Sequence, residues 1–177
     1  STLREPGTYW LWTIPPGERG SRLMFQRYDR VLEGVDAAPV VLTSDRGIDY
    51  GTVETLAISL GSGNDAFTIA STAAGTVTTL DTDGGQDTVS VETVSSATTV
   101  NTGLLADTVT IHSTNAVTTV NTGDGGDTVN VRTIAAAATV NAGAGNDVVN
   151  VSGADGTLLG ITAALTLNGD ADSDTVN

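Results

Sequence analysis

The chain has no cysteine, no lysine and only seven aromatic residues among 177 positions. Without cysteine there can be no disulfide bond, thiol nucleophile or cysteine-based zinc site. Seven arginines face 21 acidic residues, which gives a formal charge of −14 without any basic run. Nucleic acids and anionic membranes are bound through clustered cations, so neither is an expected partner. No apolar run is long enough to cross a membrane. The expected partners are therefore cations or other proteins.

The composition changes sharply near residue 50. Six of the seven arginines, six of the seven aromatic residues and all four prolines lie in residues 1–50. Residues 51–177 contain 14 acidic residues and a single arginine, Arg132. Short apolar segments around a Pro15-Pro16 turn predict a hairpin or two strands in the first part. We therefore divide the chain into a capping or assembly segment, residues 1–50, and a repeat region, residues 51–177.

The repeat region is built from six similar segments, each with one aspartate at the same place. These residues are Asp65, Asp87, Asp107, Asp127, Asp147 and Asp174. They are separated by 22, 20, 20, 20 and 27 residues, and an insertion around residues 153–157 lengthens the last interval. A period of about 20 residues is too short for a repeat made of two helices.

Each repeat contains two short segments in which β-branched and polar residues alternate, for example residues 128–131 and 139–141. A period of two predicts strands with one buried face. A glycine-rich corner and a corner of small residues separate these strands, so one repeat forms one coil. The predicted fold is all-β: a right-handed parallel β-solenoid with two sheets, about 20 residues per coil and six or seven coils. Its narrow interior suits valine, isoleucine, leucine and alanine, which explains the scarcity of aromatic residues.

Stacking the coils in register places the six aspartates in one column. Carboxylates about 5 Å apart repel each other by roughly 1 kcal/mol in water and roughly 3 kcal/mol at an effective dielectric near 20. Calcium ions between the coils would relieve this repulsion, with glycine carbonyls as further ligands. The alternative is that the carboxylates accept hydrogen bonds from corner amides, as in Asx-turns, without a metal. This alternative is favoured for Asp107, because Leu104 and Leu105 interrupt its glycine corner.

Three corners, in residues 61–67, 123–129 and 143–149, resemble the haemolysin-type calcium-binding repeats of secreted bacterial proteins. The longer repeat is similar to those of very large bacterial surface or matrix proteins. The resemblance implies calcium as a cofactor and an extracellular or cell-surface location. The implied calcium site consists of Asp65, Asp87, Asp127, Asp147, Asp174, Gly61, Gly63, Gly123, Gly125, Gly143 and Gly145. The sequence departs from the family pattern at Asp83 and Asp170, which stand where glycine is expected.

Enzyme activity is not expected. Sugar-cleaving β-helices need convergent carboxylates or a cationic group in a cleft, whereas these aspartates stack by repeat. His112 has no second histidine in register, and we expect both His112 and Arg132 to face solvent. Outward strand positions form ladders of threonine and asparagine, exemplified by Thr119 and Asn121. Ice binding, glycan binding and glycan attachment to these threonines are remote alternatives.

Together these features predict an extracellular structural protein, a calcium-stiffened solenoid that assembles head-to-tail into a filament or matrix. The sequence ends within a predicted strand, residues 174–177. Either the native protein continues, or this coil pairs with the N-terminal segment of another copy, whose arginines would meet the acidic column. A spacer segment within a giant calcium-dependent adhesin is the alternative function.

Overall fold

The computed structural model describes residues 53–153 and 155–177 of the chain. Both parts belong to the predicted repeat region. The predicted capping segment, residues 1–50, lies outside the described residues. Within the described parts, no helix has the length and apolar character needed to cross a membrane.

Twelve short strands follow one another along the described chain. They are β1 (Thr55–Ser59), β2 (Ala66–Ile69), β3 (Val77–Asp81), β4 (Thr88–Val91), β5 (Thr98–Leu104), β6 (Thr108–Ile111), β7 (Thr118–Asp124), β8 (Thr128–Val131), β9 (Ala138–Gly143), β10 (Val148–Val151), β11 (Leu165–Gly169) and β12 (Thr175–Val176). The odd-numbered strands form one sheet in chain order, which we call the odd sheet, and the even-numbered strands form the even sheet. All pairings are parallel. The predicted two-sheet parallel β-solenoid is confirmed.

Successive coils stack in the register that the sequence repeat predicts. In the odd sheet, Val100 pairs with Val120 and Val120 pairs with Val140, one repeat further along. The even sheet follows the same step. The longer interval before the last coil does not disturb this stacking, because β11 still pairs with β9 and shows one irregularity near its end. The inserted residues therefore leave the stack between β10 and β11.

The interior between the sheets is filled from alternate positions of every strand. β-Branched residues and leucine favour the half-buried, pleated surface of a strand, and here both sheets turn them toward the same narrow space. The side chains that are at most 1% exposed include Leu80, Val100, Val120 and Val140 from the odd sheet, and Val89, Val91, Val109, Ile111, Val129 and Val131 from the even sheet. Burying each such side chain stabilises the coil by about 1.5–3 kcal/mol.

Threonines also line the interior, which departs from the expected set of valine, isoleucine, leucine and alanine. Thr98 and Thr102 flank Val100 at alternate positions of β5, and all three side chains are buried. Thr118 and Thr122 repeat this arrangement in β7. A buried hydroxyl needs a hydrogen-bond partner. Each of these four hydroxyls donates to a backbone carbonyl oxygen of its own coil or of the next one.

Candidate functional site

The predicted aspartate column is present, and most of it lies inside the coil. Five of its members are only 1–3% exposed: Asp65, Asp87, Asp107, Asp127 and Asp147. The sixth, Asp174, is exposed in the last described coil. Asp107 shows why the side chains turn inward, since it precedes the buried Val109 and Ile111 at alternate positions and so shares their face. The column therefore belongs to the interior of the solenoid.

From Asp87 onward, each carboxylate of the column is tied to the backbone of the coil before it. The N–H of Asp107 donates to Oδ1 of Asp127 at 2.8 Å, and the N–H of Asp127 donates to Oδ1 of Asp147 at 2.8 Å. The same bond joins the other neighbouring pairs of the column, at 2.8–3.1 Å. We call the six aspartates with these bonds the aspartate ladder. Hydrogen bonding to amides, the metal-free alternative, thus describes Oδ1, but the amide belongs to a neighbouring coil and not to an Asx-turn.

The second carboxylate oxygen, Oδ2, meets a threonine that lies five residues earlier. The Thr82 hydroxyl is 2.5 Å from Oδ2 of Asp87 and 3.2 Å from the Thr102 carbonyl, so its proton goes to the carboxylate. Thr102 stands in the same relation to Asp107, but its hydroxyl donates to the next coil, to the Thr122 carbonyl oxygen at 3.1 Å. A hydroxyl has only one proton. Thr102 therefore does not also donate to Asp107.

In three neighbouring coils Oδ2 consequently has no hydrogen-bond partner among the described residues. These are the coils of Asp107, Asp127 and Asp147. Thr122, beside Asp127, donates to the Ala142 carbonyl oxygen at 2.6 Å. Ala142 itself occupies the place of the threonine in the coil of Asp147. A buried polar atom without a partner costs about 1–3 kcal/mol, and more when it is charged.

Burial raises the pKa of these three carboxyl groups. The pKa of Asp107 rises from 3.8 to about 6, chiefly because the buried charged form has lost its water. The Asp87 amide, which donates to Oδ1 of Asp107, opposes this rise, while the charges of Asp87 and Asp127 add to it. Burial is also the main reason why the pKa values of Asp127 and Asp147 are raised.

The glycines of the implied calcium site allow neighbouring coils to approach closely. Gly123 and Gly143 have φ angles of +97° and +91°. A Cβ atom on them would lie 2.0 and 1.9 Å from the carbonyl oxygen of the glycine one coil earlier. A Cβ atom on Gly125 or Gly145 would likewise lie 2.2 or 1.5 Å from a backbone carbonyl oxygen. These positions therefore require glycine for packing, whether or not a metal is bound.

Several of the expected carbonyl ligands already have another role. The Gly123 carbonyl accepts the N–H of Ala144 at 2.9 Å, and the Gly143 carbonyl accepts the N–H of Asp170 at 3.3 Å. Gly61 is buried. The Gly63 carbonyl oxygen lies against the next coil, where a Cβ atom at position 85 would be 2.3 Å away.

The aspartate ladder does not fit a calcium ion. Calcium takes about six to eight oxygen ligands at about 2.3–2.6 Å. Because one oxygen of each carboxylate from Asp87 onward already accepts an amide proton, these coils have at most one carboxylate oxygen each without a donor, and coils are about 4.8 Å apart. In the part of the chain that the structure describes, no three acidic, histidine or cysteine side chains are grouped so that they could hold a metal. Calcium binding stays a prediction from the sequence.

The two departures from the glycine pattern have different outcomes. Asp83 has a φ of +67°, so an aspartate does occupy a left-handed glycine position there. The φ angle of Asp170, in contrast, is not positive. Gly169 pairs with Gly143, so the last described coil retains glycine at this corner.

The predicted asparagine ladders are confirmed on the outer faces of both sheets. On the odd sheet, Asn121 donates its amide to Oδ1 of Asn101 at 2.7 Å, and Asn141 donates to Oδ1 of Asn121 at 2.6 Å. On the even sheet, Asn150 donates to Oδ1 of Asn130 at 2.9 Å. Each ladder extends into the last described coil. Side-chain amides thus join the coils outside as the aspartate ladder joins them inside.

Replacing Asn121 with alanine should lower the free energy of unfolding by about 1–2 kcal/mol, because the half-buried amide both donates and accepts along the ladder. Urea denaturation measures the effect. Asn115→Ala is the matched control, since Asn115 is exposed and makes one long contact to Thr93 at 3.4 Å. Equal losses in the two variants would show that the ladder adds nothing beyond an ordinary surface asparagine.

His112 is exposed, as predicted, and its Nε2 lies 3.7 Å from Oε1 of the exposed Glu92. An ion pair in such a setting contributes little to stability. Arg132, which was expected to face solvent, is half-buried.

Comparisons with protein-family models, with curated proteins and with solved structures found no match for this chain. The resemblance to calcium-binding repeats therefore stays a prediction.

Proposed function

We propose that the solenoid is a structural rod, a segment that keeps a fixed distance between the parts of a surface or matrix protein outside the cell. The observation that carries this proposal is the continuity of its ladders. Similar contacts recur over several successive steps along the axis, both inside and outside the coil. Location outside the cell is supported only by the resemblance of the repeats.

The step between the coils of Asp107 and Asp127 illustrates this continuity. The strands pair in register in both sheets. Inside, the aspartate ladder adds one bond, and the Thr102 hydroxyl adds a second to the Thr122 carbonyl. Outside, the Asn121 amide binds Asn101. Because these bonds lie on different sides of the coil, bending the stack in any direction would stretch some of them.

A rod of this kind has a length set by its number of coils. Parallel strands are about 4.8 Å apart, so the five steps from β1 to β11 span about 24 Å. Residues 51–177 contain 14 acidic residues against one arginine, and this charge opposes sideways association of rods. Added coils would therefore change the length without changing the cross-section.

Duplicating one coil, residues 108–127, should lengthen the particle by about 5 Å with an unchanged cross-section. The insert restores every ladder, since it equals one 20-residue step of the register. Small-angle X-ray scattering of the full chain measures both the maximum dimension and the cross-sectional radius. An unchanged maximum dimension in a folded variant would contradict the rod.

Duplicating only residues 108–117 is the matched control. This insert carries β6 without β7, so the strand that follows would enter the wrong sheet and its buried face would meet solvent. We expect loss of the single cooperative unfolding transition. If this variant lengthened and unfolded like the full-coil variant, length would not depend on the ladders.

Head-to-tail association, glycan attachment to threonine and calcium stiffening stay predictions from the sequence. Sedimentation velocity of the full chain over a wide range of concentration, with calcium or a chelator, tests the association. Concentration-dependent growth would support a filament, whereas a monomer throughout would support a spacer.

A further inference from the structure

The aspartate ladder buries oxygen atoms that have no donor. Oδ2 of Asp107, Asp127 and Asp147 has no partner within the described residues, and these side chains are only 1–2% exposed. An ionised carboxylate in such a place has lost its water and has no donor for Oδ2, and a second carboxylate lies about 5 Å away in the neighbouring coil. Three ionised groups in succession would combine the missing donors with mutual repulsion.

We infer that the aspartate ladder is a proton-binding column, in which Asp107 and Asp127 hold a proton on Oδ2 and donate it to the threonine hydroxyl of their own coil. Thr102 and Thr122 precede these carboxyl groups by five residues, the position from which the Thr82 hydroxyl reaches Oδ2 of Asp87 at 2.5 Å. Both threonines give their own protons to carbonyl oxygens of the next coil, at 3.1 and 2.6 Å. Their hydroxyl oxygens can therefore accept a hydrogen bond from the carboxyl group.

Protonation leaves the rest of the ladder intact. A neutral carboxyl group keeps an acceptor oxygen while the other oxygen becomes a donor. Oδ1 of Asp127 thus still accepts the Asp107 amide, and Oδ2 gains the partner that it lacks when ionised. Asp147 differs, because Ala142 stands in the place of the threonine and offers no hydroxyl.

Among the described residues, the charged groups that act on these two carboxyl groups are all acidic. Asp87 and Asp127 face Asp107 from the coils on either side. Asp127 is further affected by Asp124, which is exposed at the glycine corner. Across the interior, the buried side chains of the described odd-sheet strands are threonine, alanine, valine and leucine, none of them charged. A proton removes the repulsion without needing the six or more ligands of a metal.

The sign of the pH dependence follows from the direction of the shift. The pKa of Asp107 is about 6 in the folded chain and has the ordinary value of 3.8 when the chain unfolds. Folding therefore takes up a proton between these values. The stability from this proton is complete below about pH 4 and is lost as the pH rises through about 6. A shift of this size corresponds to a change of about 100-fold in the folding equilibrium constant.

Asp107→Asn mimics the protonated side chain and tests the proposal in the full chain. Asparagine keeps Oδ1 for the Asp87 amide and presents an amide donor to Thr102. At about pH 7.5 the variant should raise the folding equilibrium constant up to about 100-fold, and at about pH 4 it should leave it nearly unchanged. Urea denaturation at both pH values, with a chelator present, measures this. The carboxyl carbon of Asp107 in the wild type should titrate near pH 6 by nuclear magnetic resonance.

Asp124→Asn is the control, because it removes the same charge from an exposed side chain nearby. Because Asp124 acts on Asp127 only through its charge, Asp124→Asn should change the pH dependence of stability much less than Asp107→Asn does. Three results would overturn the proposal: a less stable Asp107→Asn at about pH 7.5, an Asp107 carboxyl that titrates near its ordinary value, or equal effects of the two variants. The proposal would also be overturned, in favour of a bound metal, if calcium stabilised the wild type but did not stabilise Asp107→Asn.

Discussion

Alanine in place of Gly123 is expected to lower the free energy of unfolding by about 4 kcal/mol. Gly123 has a φ of +97°, where a side chain strains the backbone. The new Cβ atom would also lie 2.0 Å from the Gly103 carbonyl oxygen and 2.9 Å from its carbon. The neighbouring coil cannot simply move away, because Gly143 is packed against Gly123 in the same manner from the other side. One methyl group should thus separate coils that the ladders hold together.

Gly126→Ala is the control for this prediction. A Cβ atom there would have the Asn146 carbonyl oxygen as its nearest neighbour, at an ordinary 3.6 Å. We expect a change of less than about 1 kcal/mol. Urea denaturation followed by circular dichroism compares the two variants with the wild type. Similar losses at both positions would show that close approach of the coils at Gly123 does not matter for stability.

The fold could be predicted from the sequence because two periods coincide in it. The 20-residue spacing from Asp87 to Asp147 fixes the length of a coil, and the alternation within residues 128–131 fixes the strand and its buried face. Each coil repeats the same local preferences, so local and global signals agree. This agreement made the pairing of the strands predictable from spacing alone.

The same alternation could have placed the aspartates inside the coil. Asp107 lies two positions before Val109, so both must share a face of the strand. The glycine-rich corner pointed instead to calcium, because the motif specifies which residues recur and not which way the carboxylates turn. Thr102 carried a similar signal, since it lies two positions after the buried Val100. The alternation of side chains along the strand therefore predicts that both the aspartate column and the threonine column are buried.

The hydrogen bonds of the site could not be predicted in this way. The donor to each carboxylate is an amide one coil away, and the Thr102 hydroxyl chooses the Thr122 carbonyl over its neighbour Asp107. Such choices depend on differences of about an ångström in the distances between atoms of neighbouring coils. The spacing of residues along the sequence does not specify these distances. The unpartnered oxygen of Asp107, from which the proton was inferred, therefore became visible only in the structure.

The interior of a solenoid makes each coil depend on its neighbours, and Ile111→Ala should show this. Ile111 is fully buried and stacks between Val91 and Val131. Truncation removes apolar contacts toward both neighbouring coils and leaves a cavity, which should lower the free energy of unfolding by about 3 kcal/mol. Coils in such arrays interact only with adjacent coils, so a weak step in the middle also reduces the coupling between the two halves.

Hydrogen exchange distinguishes this loss of coupling from a uniform loss of stability. In Ile111→Ala, amides of β4, β6 and β8 should lose the most protection, because the cavity lies at that level of the stack. Ile111→Val, which keeps most of the volume, should cost about 1 kcal/mol. Val117→Ala serves as the control, since Val117 is 57% exposed and its truncation leaves no cavity. If Val117→Ala were as damaging as Ile111→Ala, the interior packing of the solenoid would not be what holds its coils together.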